Sequence, residues 1–250
     1  MTLKSTKSSK KIKHGSSKPT IISLGGSIII PEEIDIEFLK SFKRLILEYL
    51  NKGDSFIIVC GGGRTARKYQ GAAREFGVDN ENLDWIGIYA TYMNAILVKS
   101  IFQDHAISEL VTNPTKKIKE KLSGKSNGKI KGKIVIATGY KPGCSTDHDA
   151  VLLAKNFGAR TVINLSDLEY VYDKDPKKFA DAKPLKNISW KEMRKITGDS
   201  WIPGKNVPFD PIASKEAQKL GMKVAIMKGR DLDNLRAFLD GKEFKGTLVE

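Results

Sequence analysis

Ser55-Phe56-Ile57-Ile58-Val59-Cys60-Gly61-Gly62-Gly63-Arg64-Thr65-Ala66-Arg67 is the stretch on which the fold turns. Ser55 to Val59 reads as a buried strand, and Arg64 to Phe76 reads as a helix. Three glycines at a strand-to-helix junction let main chain approach a ligand with no Cβ in the way. The free N–H groups at the helix start then favour an anion. Arg67, one turn in, adds a planar donor fork suited to phosphate, or is simply a solvated helix charge. No Gly-Lys-Ser/Thr follows, so this is not a Walker A loop. Such a triplet also serves plain close packing of helix on strand, and the sequence leaves both readings open.

On either side of this stretch the pattern alternates between strand and helix. Thr20 to Leu24 is strand-like and opens into Gly25-Gly26-Ser27. Ile34 to Leu50 is apolar at helical spacing (Phe38, Leu39, Phe42, Leu45, Ile46, Tyr49), and Asp84 to Phe102 is a long, mostly apolar helix. Ile134 to Ala137 is a buried strand leading into Thr138-Gly139-Tyr140-Lys141-Pro142-Gly143-Cys144-Ser145-Thr146, with a helix from about Asp147 to Phe157. Thr161 to Leu165 and Val224 to Met227 are strands, and Leu232 to Leu239 is helical. Ser189 and Glu192 form a capping box, and Asp210-Pro211 opens a helix ending before Gly221. This order predicts an α/β fold, a three-layer α/β/α sandwich with a mainly parallel central sheet. Three strand ends open into small-residue loops, after Leu24, Cys60 and Ala137. In a parallel sheet such ends converge on the ligand crevice, which points to several phosphates.

Charge and composition exclude other classes. The 250 residues carry a net charge of +14 and are 40% hydrophobic. Met1 to Lys18 holds six lysines and no acid, and Lys116 to Lys133 holds eight lysines against Glu120 alone. The rest is close to neutral, so the basicity lies in two segments and not on a patterned face, which argues against a nucleic-acid partner. No apolar run approaches the roughly 20 residues that cross a bilayer, so no membrane association is expected. The N-terminus lacks the apolar stretch of a secretory leader, and Cys60 and Cys144 cannot build a disulfide framework. A cytoplasmic setting is expected. The expected division is a basic flexible tail at 1–19, one domain over 20–250, and a basic loop or hairpin insertion at 113–133.

With the three loops placed, residues 20–250 resemble the amino-acid-kinase superfamily, and within it the uridine monophosphate kinase family of the archaeal-like type. Five stretches carry the resemblance: Leu24 to Ser27, Gly61 to Tyr69, Asp84 to Ala95, Gly139 to Asp147, and Ser166 to Pro176. The resemblance implies phosphoryl transfer from ATP to UMP, a step of pyrimidine nucleotide biosynthesis. It implies an acceptor lobe over about 20–160 and an ATP lobe over about 161–250. Leu24, Gly25, Gly26, Ser27, Gly63 and Arg67 would hold ATP phosphates, and Ser166, Asp167, Tyr172 and Asp175 would frame its adenosine. Gly62, Asp84, Gly139, Tyr140, Lys141, Pro142, Gly143, Cys144, Ser145 and Thr146 would bind UMP. The family works with Mg²⁺ and is typically a homohexamer built as a trimer of dimers. Bacterial members carry a lysine where this chain has Ser23. Another phosphotransferase of the superfamily, or a non-catalytic nucleotide or oxyanion binder, is the alternative.

For the chemistry itself, Arg67, Asp147 and Asp210 are the candidate catalytic residues, with Lys18 and Lys215 as weaker candidates for the cation. Asp147 and Asp149 in a first helical turn either complement the helix dipole or face phosphates through Mg²⁺. Asp210 is an N-cap or orients water, magnesium or a lysine. His148 has no other histidine near it in sequence, so no protein metal centre is expected. Thr91 and Asn94 either reach the uracil or line helix contacts. Trp190 and Trp201 read as packing or lid residues.

Overall fold

The computed structural model describes residues 18–116, 133–200 and 207–250. Nearly all of the basic tail, most of the 113–133 segment, and the stretch from Trp201 to Asn206 lie outside the described residues.

The chain enters through β1 (Thr20–Leu24), a short α1 (Gly26–Ile29) and α2 (Ile36–Asn51). Next come β2 (Phe56–Cys60), α3 (Gly63–Glu75) and α4 (Asn80–Phe102), then β3 (Ile134–Ala137), α5 (Thr146–Phe157) and β4 (Thr161–Ser166). A small hairpin of β5 (Val171–Tyr172) and β6 (Pro184–Leu185) precedes β7 (Asn187–Ile188), α6 (Trp190–Thr197) and α7 (Pro211–Lys219). The chain closes with β8 (Lys223–Lys228), α8 (Leu232–Leu239) and β9 (Thr247–Val249).

Seven strands form one sheet in the order β3-β2-β1-β4-β8-β9-β7. From β3 to β8 every pairing is parallel; β9 runs antiparallel to β8 and carries β7 parallel to itself. Period-2 alternation divides the strands between two cores. Ile21, Ile57, Val59, Val162 and Val224 face α5, α6 and α7 with Leu153, Phe157, Met193 and Ala217. Ile22, Leu24, Ile58, Ile163 and Leu165 face α2, α4 and α8 with Phe42, Tyr49, Phe102 and Leu235. Both faces are covered, so β2 and β3 are buried along their whole length, as expected of parallel strands. This is the three-layer sandwich the sequence predicted.

After β1 the chain builds β2 and β3 on one side and later adds β4 and β8 on the other. The order therefore reverses between β1 and β4, and a crevice opens at their carboxyl ends. Local differences from the sequence reading have plain causes. α4 begins at Asn80 and not at Asp84, because Asp79 caps it by accepting from Asn82 N and Nδ2. The strands β5, β6, β7 and β9, two or three residues each, are too short to show a period. Among the described residues no helix is long and apolar enough to cross a membrane.

Candidate active site

The first two glycine loops touch backbone to backbone. A Cβ on Gly26 would lie 2.3 Å from Gly63 N and 2.4 Å from Gly61 O. One on Gly63, at φ +61°, would lie 2.2 Å from the Gly26 carbonyl carbon. Gly25 N donates to Leu165 O of β4 and Gly61 N to Leu24 O of β1, each at 2.9 Å, so strand neighbours set the loop positions. Close packing and amide clustering are thus one feature here, and the two readings of the triplet do not compete. Gly62 caps α3 without a side chain, and the first amides of that helix have no intrahelical partner. Arg67 Nη2 donates to Ser27 Oγ at 2.9 Å, so the exposed guanidinium joins one loop to the other. Arg64 turns away, to Pro31 O and Glu32.

Helix α4 holds both this pair and the third loop. Asn94 Nδ2 donates to Gly61 O at 2.7 Å. Thr91 Oγ1 accepts from Gly139 N at 2.8 Å, and Asp84 Oδ2 accepts from Gly143 N at 2.8 Å. Thr91 and Asn94 thus each hold a glycine loop, a contact that neither sequence reading named. Asp149 Oδ2 accepts from Tyr140 N at 3.1 Å, and Asn113 donates to the Tyr140 hydroxyl at 3.2 Å. Cys144 N closes a turn onto Lys141 O with Gly143 at φ +77°, beside Pro142. Ser145 then caps α5 by accepting from His148 N, with Thr146 as the first helical residue.

A carboxylate cluster occupies the crevice between β1 and β4. Ser23 and Asn164 are register partners and point from the sheet toward α5 and α7. Asp147 Oδ1 accepts from Ser23 Oγ at 3.1 Å and from Asn164 Nδ2 at 2.7 Å, and its Oδ2 from Asp210 N at 3.3 Å. Asp210 Oδ1 caps α7 through Ala213 N at 2.6 Å. Burial, reinforced by the Asp210 charge, pushes the Asp147 carboxyl up to about 7. Burial pushes Asp149 up to about 8, with Asp147 and Asp210 adding to it against the Tyr140 N–H. Asp210 is likewise raised by burial, and burial lowers His148. Asp149 Oδ1, Asn164 Oδ1, Asp210 Oδ2 and His148 Nδ1 are buried without a hydrogen-bond partner. Three of these four atoms are carboxyl or amide oxygens that lack a donor.

The remaining candidates divide. Ser166 ends β4 beside the first loop; its carbonyl accepts from Gly229 N at 2.8 Å and its hydroxyl from Leu168 N at 3.3 Å. Asp167 is exposed, Tyr172 lies in β5, and Asp175 Oδ1 caps its own turn through Lys177 N at 3.0 Å. Lys18 lies beside Gly158, at the α5 C-terminus and the opposite end of β1 from the loops, so it is not near the crevice. Lys215 Nζ donates to Asp199 O at 2.8 Å. Trp190 is core: its Nε1 donates to Met222 O at 2.9 Å. A cleft of about 280 Å³ off the carboxyl ends of β4 and β8 is lined by Glu169, Lys228, Arg230, Asp231, Asn234 and Lys245. Three of these have partners: Arg230 pairs with Asp35, Asp231 caps α8, and Asn234 bonds both Lys245 backbone groups.

Asn164 is absent from the sequence-derived candidates, and Asp149 entered them only with two open readings, a dipole complement or a carboxylate facing phosphates through Mg²⁺. A polar residue inside Val162-Ile163-Asn164-Leu165 was the available signal for the first. For the second, the contact with Tyr140 had no sequence signal, because it depends on how α5 returns onto the loop.

The sequence profile of the Amino acid kinase family matches residues 18–228. A uridylate kinase from Thermoplasma volcanium is 36% identical over 92% of this chain and 96% of its own length. One from Thermoplasma acidophilum is 37% identical over 92% and 96%. The crystal structure of a uridylate kinase from Archaeoglobus fulgidus superimposes with a TM-score of 0.75 at 29% identity, covering 93% of this chain and all of that one. A UMP kinase structure from Bacillus anthracis, at 19% identity and a TM-score of 0.72, shares the fold. With paired glycine loops at the sheet reversal and this match over most of its length, the chain belongs to the amino acid kinase family.

Proposed function

We propose that this chain is an ATP-dependent phosphotransferase that moves the γ-phosphoryl group of ATP to UMP, giving ADP and UDP. The observation that carries the proposal is the Gly26–Gly63 contact: it puts two amide-bearing loops in one place, with the acceptor loop tied to the same helix, α4. The uridylate kinases that this chain resembles over nearly their whole length supply the acceptor's identity.

A UMP phosphate oxygen is already an anionic nucleophile, so no general base is needed. It forms a bond to the γ-phosphorus while the bond from that atom to the β–γ bridging oxygen breaks. Catalysis is then mainly alignment and charge neutralisation. Leu24 to Ser27 and Gly63 hold the donor phosphates, and Arg67 spans the gap between the loops as the cation. Ser166, Asp167, Tyr172 and Asp175 frame the adenosine. Gly62, Asp84 and Gly139 to Thr146 bind UMP. Asp147 is a positioning residue: its three hydrogen bonds fix the start of α7 against β1 and β4.

Among the described residues no three His, Cys, Asp or Glu side chains converge as a metal cage. Mg²⁺ typically keeps several waters and takes one or two carboxylates plus substrate phosphates, which such a site allows. The chain's own contribution would be Asp210, whose Oδ2 is buried and has no partner. The ion supplies neutralisation of charge between donor and acceptor.

We further propose self-association through α4, where Trp85, Tyr89, Met93 and Ile96 form an exposed apolar stripe; Tyr69 of α3 and Phe76 just past its end are exposed too. The cytoplasmic setting rests on two free cysteines. A coupled assay with ATP, Mg²⁺ and a panel of nucleoside monophosphates, acetylglutamate and isopentenyl phosphate tests the function. UMP-dependent ADP release is expected; turnover with another acceptor and none with UMP would refute it.

A further inference from the structure

The donor's polyphosphate brings negative charge to a crevice that already holds Asp147, Asp149 and Asp210. Arg67 answers part of that charge from the Gly63 side. Other cations are committed elsewhere: Arg64 to Pro31 O and Glu32, Lys215 to Asp199 O, Arg230 to Asp35.

Lys228 is different. It ends β8 and pairs in register with Ser166, which ends β4. Gly25 follows Leu24, the register partner of Leu165, and a Cβ on Gly25 would lie 3.7 Å from Ser166 Cα. Gly25, Ser166 and Lys228 therefore form one row across three adjacent strand ends. Main chain ties the row together, Gly25 N donating to Leu165 O at 2.9 Å and Gly229 N to Ser166 O at 2.8 Å. Ser166 lies two residues beyond Asn164, so by strand alternation the row stands on the face that carries Ser23 and Asn164. With strands about 4.8 Å apart, the Lys228 backbone is about 10 Å from Gly25, and a flexible four-carbon stem covers much of that gap. Lys228 also lines the cleft at this edge with Glu169, which belongs to the Ser166 to Pro176 segment. It is exposed, and among the described residues no hydrogen bond or ion pair engages its ammonium. Lys245 shares the cleft but precedes β9, one strand farther from Gly25.

We propose that Lys228 is a donor-binding residue whose ammonium meets the phosphate nearest the nucleoside, between the amides of the first glycine loop and the segment that frames the adenosine. The proposal rests on the reading of Leu24 to Ser27 and Ser166 to Pro176 as the donor's site. A lysine holds phosphate as a point charge, so the site requires the charge and not a particular fork geometry. Arginine can then stand in for it, and a neutral amide cannot.

The test is titration calorimetry of the full chain with ADP, alongside KM for ATP and for UMP. Lys228→Gln is expected to bind ADP roughly tenfold more weakly, the scale of losing one charge-assisted hydrogen bond, and to raise KM for ATP to a similar extent. KM for UMP should stay within about twofold, and Lys228→Arg should keep ADP affinity within about threefold of the wild type. Lys245→Gln, which removes the same charge from the same cleft, should change ADP affinity by less than about twofold. A packing role would not separate Gln from Arg, nor ATP from UMP. Unchanged ADP affinity in Lys228→Gln, an equal loss in Lys228→Arg, or an equal loss in Lys245→Gln overturns the proposal. Should the Lys228 variants not fold, reductive methylation of the wild type with and without ADP, read by mass spectrometry, decides the matter. Protection of Lys228 and not of Lys245 supports the assignment, and equal labelling refutes it. Absence of ADP and ATP binding by the wild type removes the donor-site reading itself, and the proposal with it; wild-type binding that Lys228→Gln leaves intact removes Lys228 alone.

Discussion

At the scale of single residues, two side chains test the proposed division between donor and acceptor chemistry. Arg67 reaches Ser27 across the loop pair and is exposed, so its removal costs the fold little. Arg67→Ala is expected to lower kcat by roughly two orders of magnitude, the scale of losing one preorganised charge-stabilising donor. Circular dichroism should be unchanged, and unchanged turnover would take Arg67 out of the chemistry. Asp84 has one oxygen committed to Gly143 N, in the loop proposed to hold the acceptor. Asp84→Ala should raise KM for UMP by about tenfold or more, the loss of a charge-assisted hydrogen bond, while leaving KM for ATP within about twofold. Equal losses for both substrates would contradict the assignment. The same scale shows where sequence reading stops. Arg67 was singled out by its place one turn after the glycine triplet, and Asp84 by the family resemblance alone. Asn94 and Asp149 were also singled out, but their contacts were not visible, because each bonds backbone 33 or 9 residues away. Lys18 was misplaced for a related reason: nearness to β1 in sequence does not say which end of the strand faces the crevice.

At the scale of elements, the strands and long helices were legible from period and apolar content. The short edge strands were not, since β7 and β9 pair only after residues 190–246 have folded between them. The loops show a second limit. A glycine triplet announces freedom of backbone, but which neighbour demands it appears only in three dimensions. Gly63 needs both a left-handed φ and the absence of a Cβ against Gly26. Gly63→Ala is therefore expected to destabilise the protein by at least about 1–3 kcal/mol, the cost of the backbone conformation alone. Denaturant unfolding at fixed pH measures this. Gly71→Ala, in open space on the same helix, is the control and should be neutral or slightly stabilising. Equal midpoints for the two variants would mean that the loops can separate without loss.

At the scale of the whole molecule, polar and apolar surfaces are unevenly placed. The polar cluster lies between β1 and β4, whereas four large exposed apolar side chains, Trp85, Tyr89, Met93 and Ile96, lie along α4. Met93 is 69% exposed and Tyr89 67%, on a helix whose other face is core. Burying such a stripe against a second copy would recover hydrophobic free energy of about 25 cal/mol per Å². Sedimentation velocity should show an assembly larger than the monomer, and Tyr89→Asp with Met93→Asp should reduce its mass while sparing secondary structure. A wild-type monomer at micromolar concentration would end that reading.

The backbone seam between Gly26 and Gly63 has a thermodynamic corollary. Two turns wedged against each other, with strand β4 behind one and Asn94 behind the other, have little slack to lose when a ligand arrives. Nucleotide phosphates met by such a frame pay little of the ordering entropy that a floppy loop would charge. Induced motion, if the reaction cycle needs any, must then be supplied by segments that approach the frame from outside, leaving the amide lattice itself stationary from one turnover to the next.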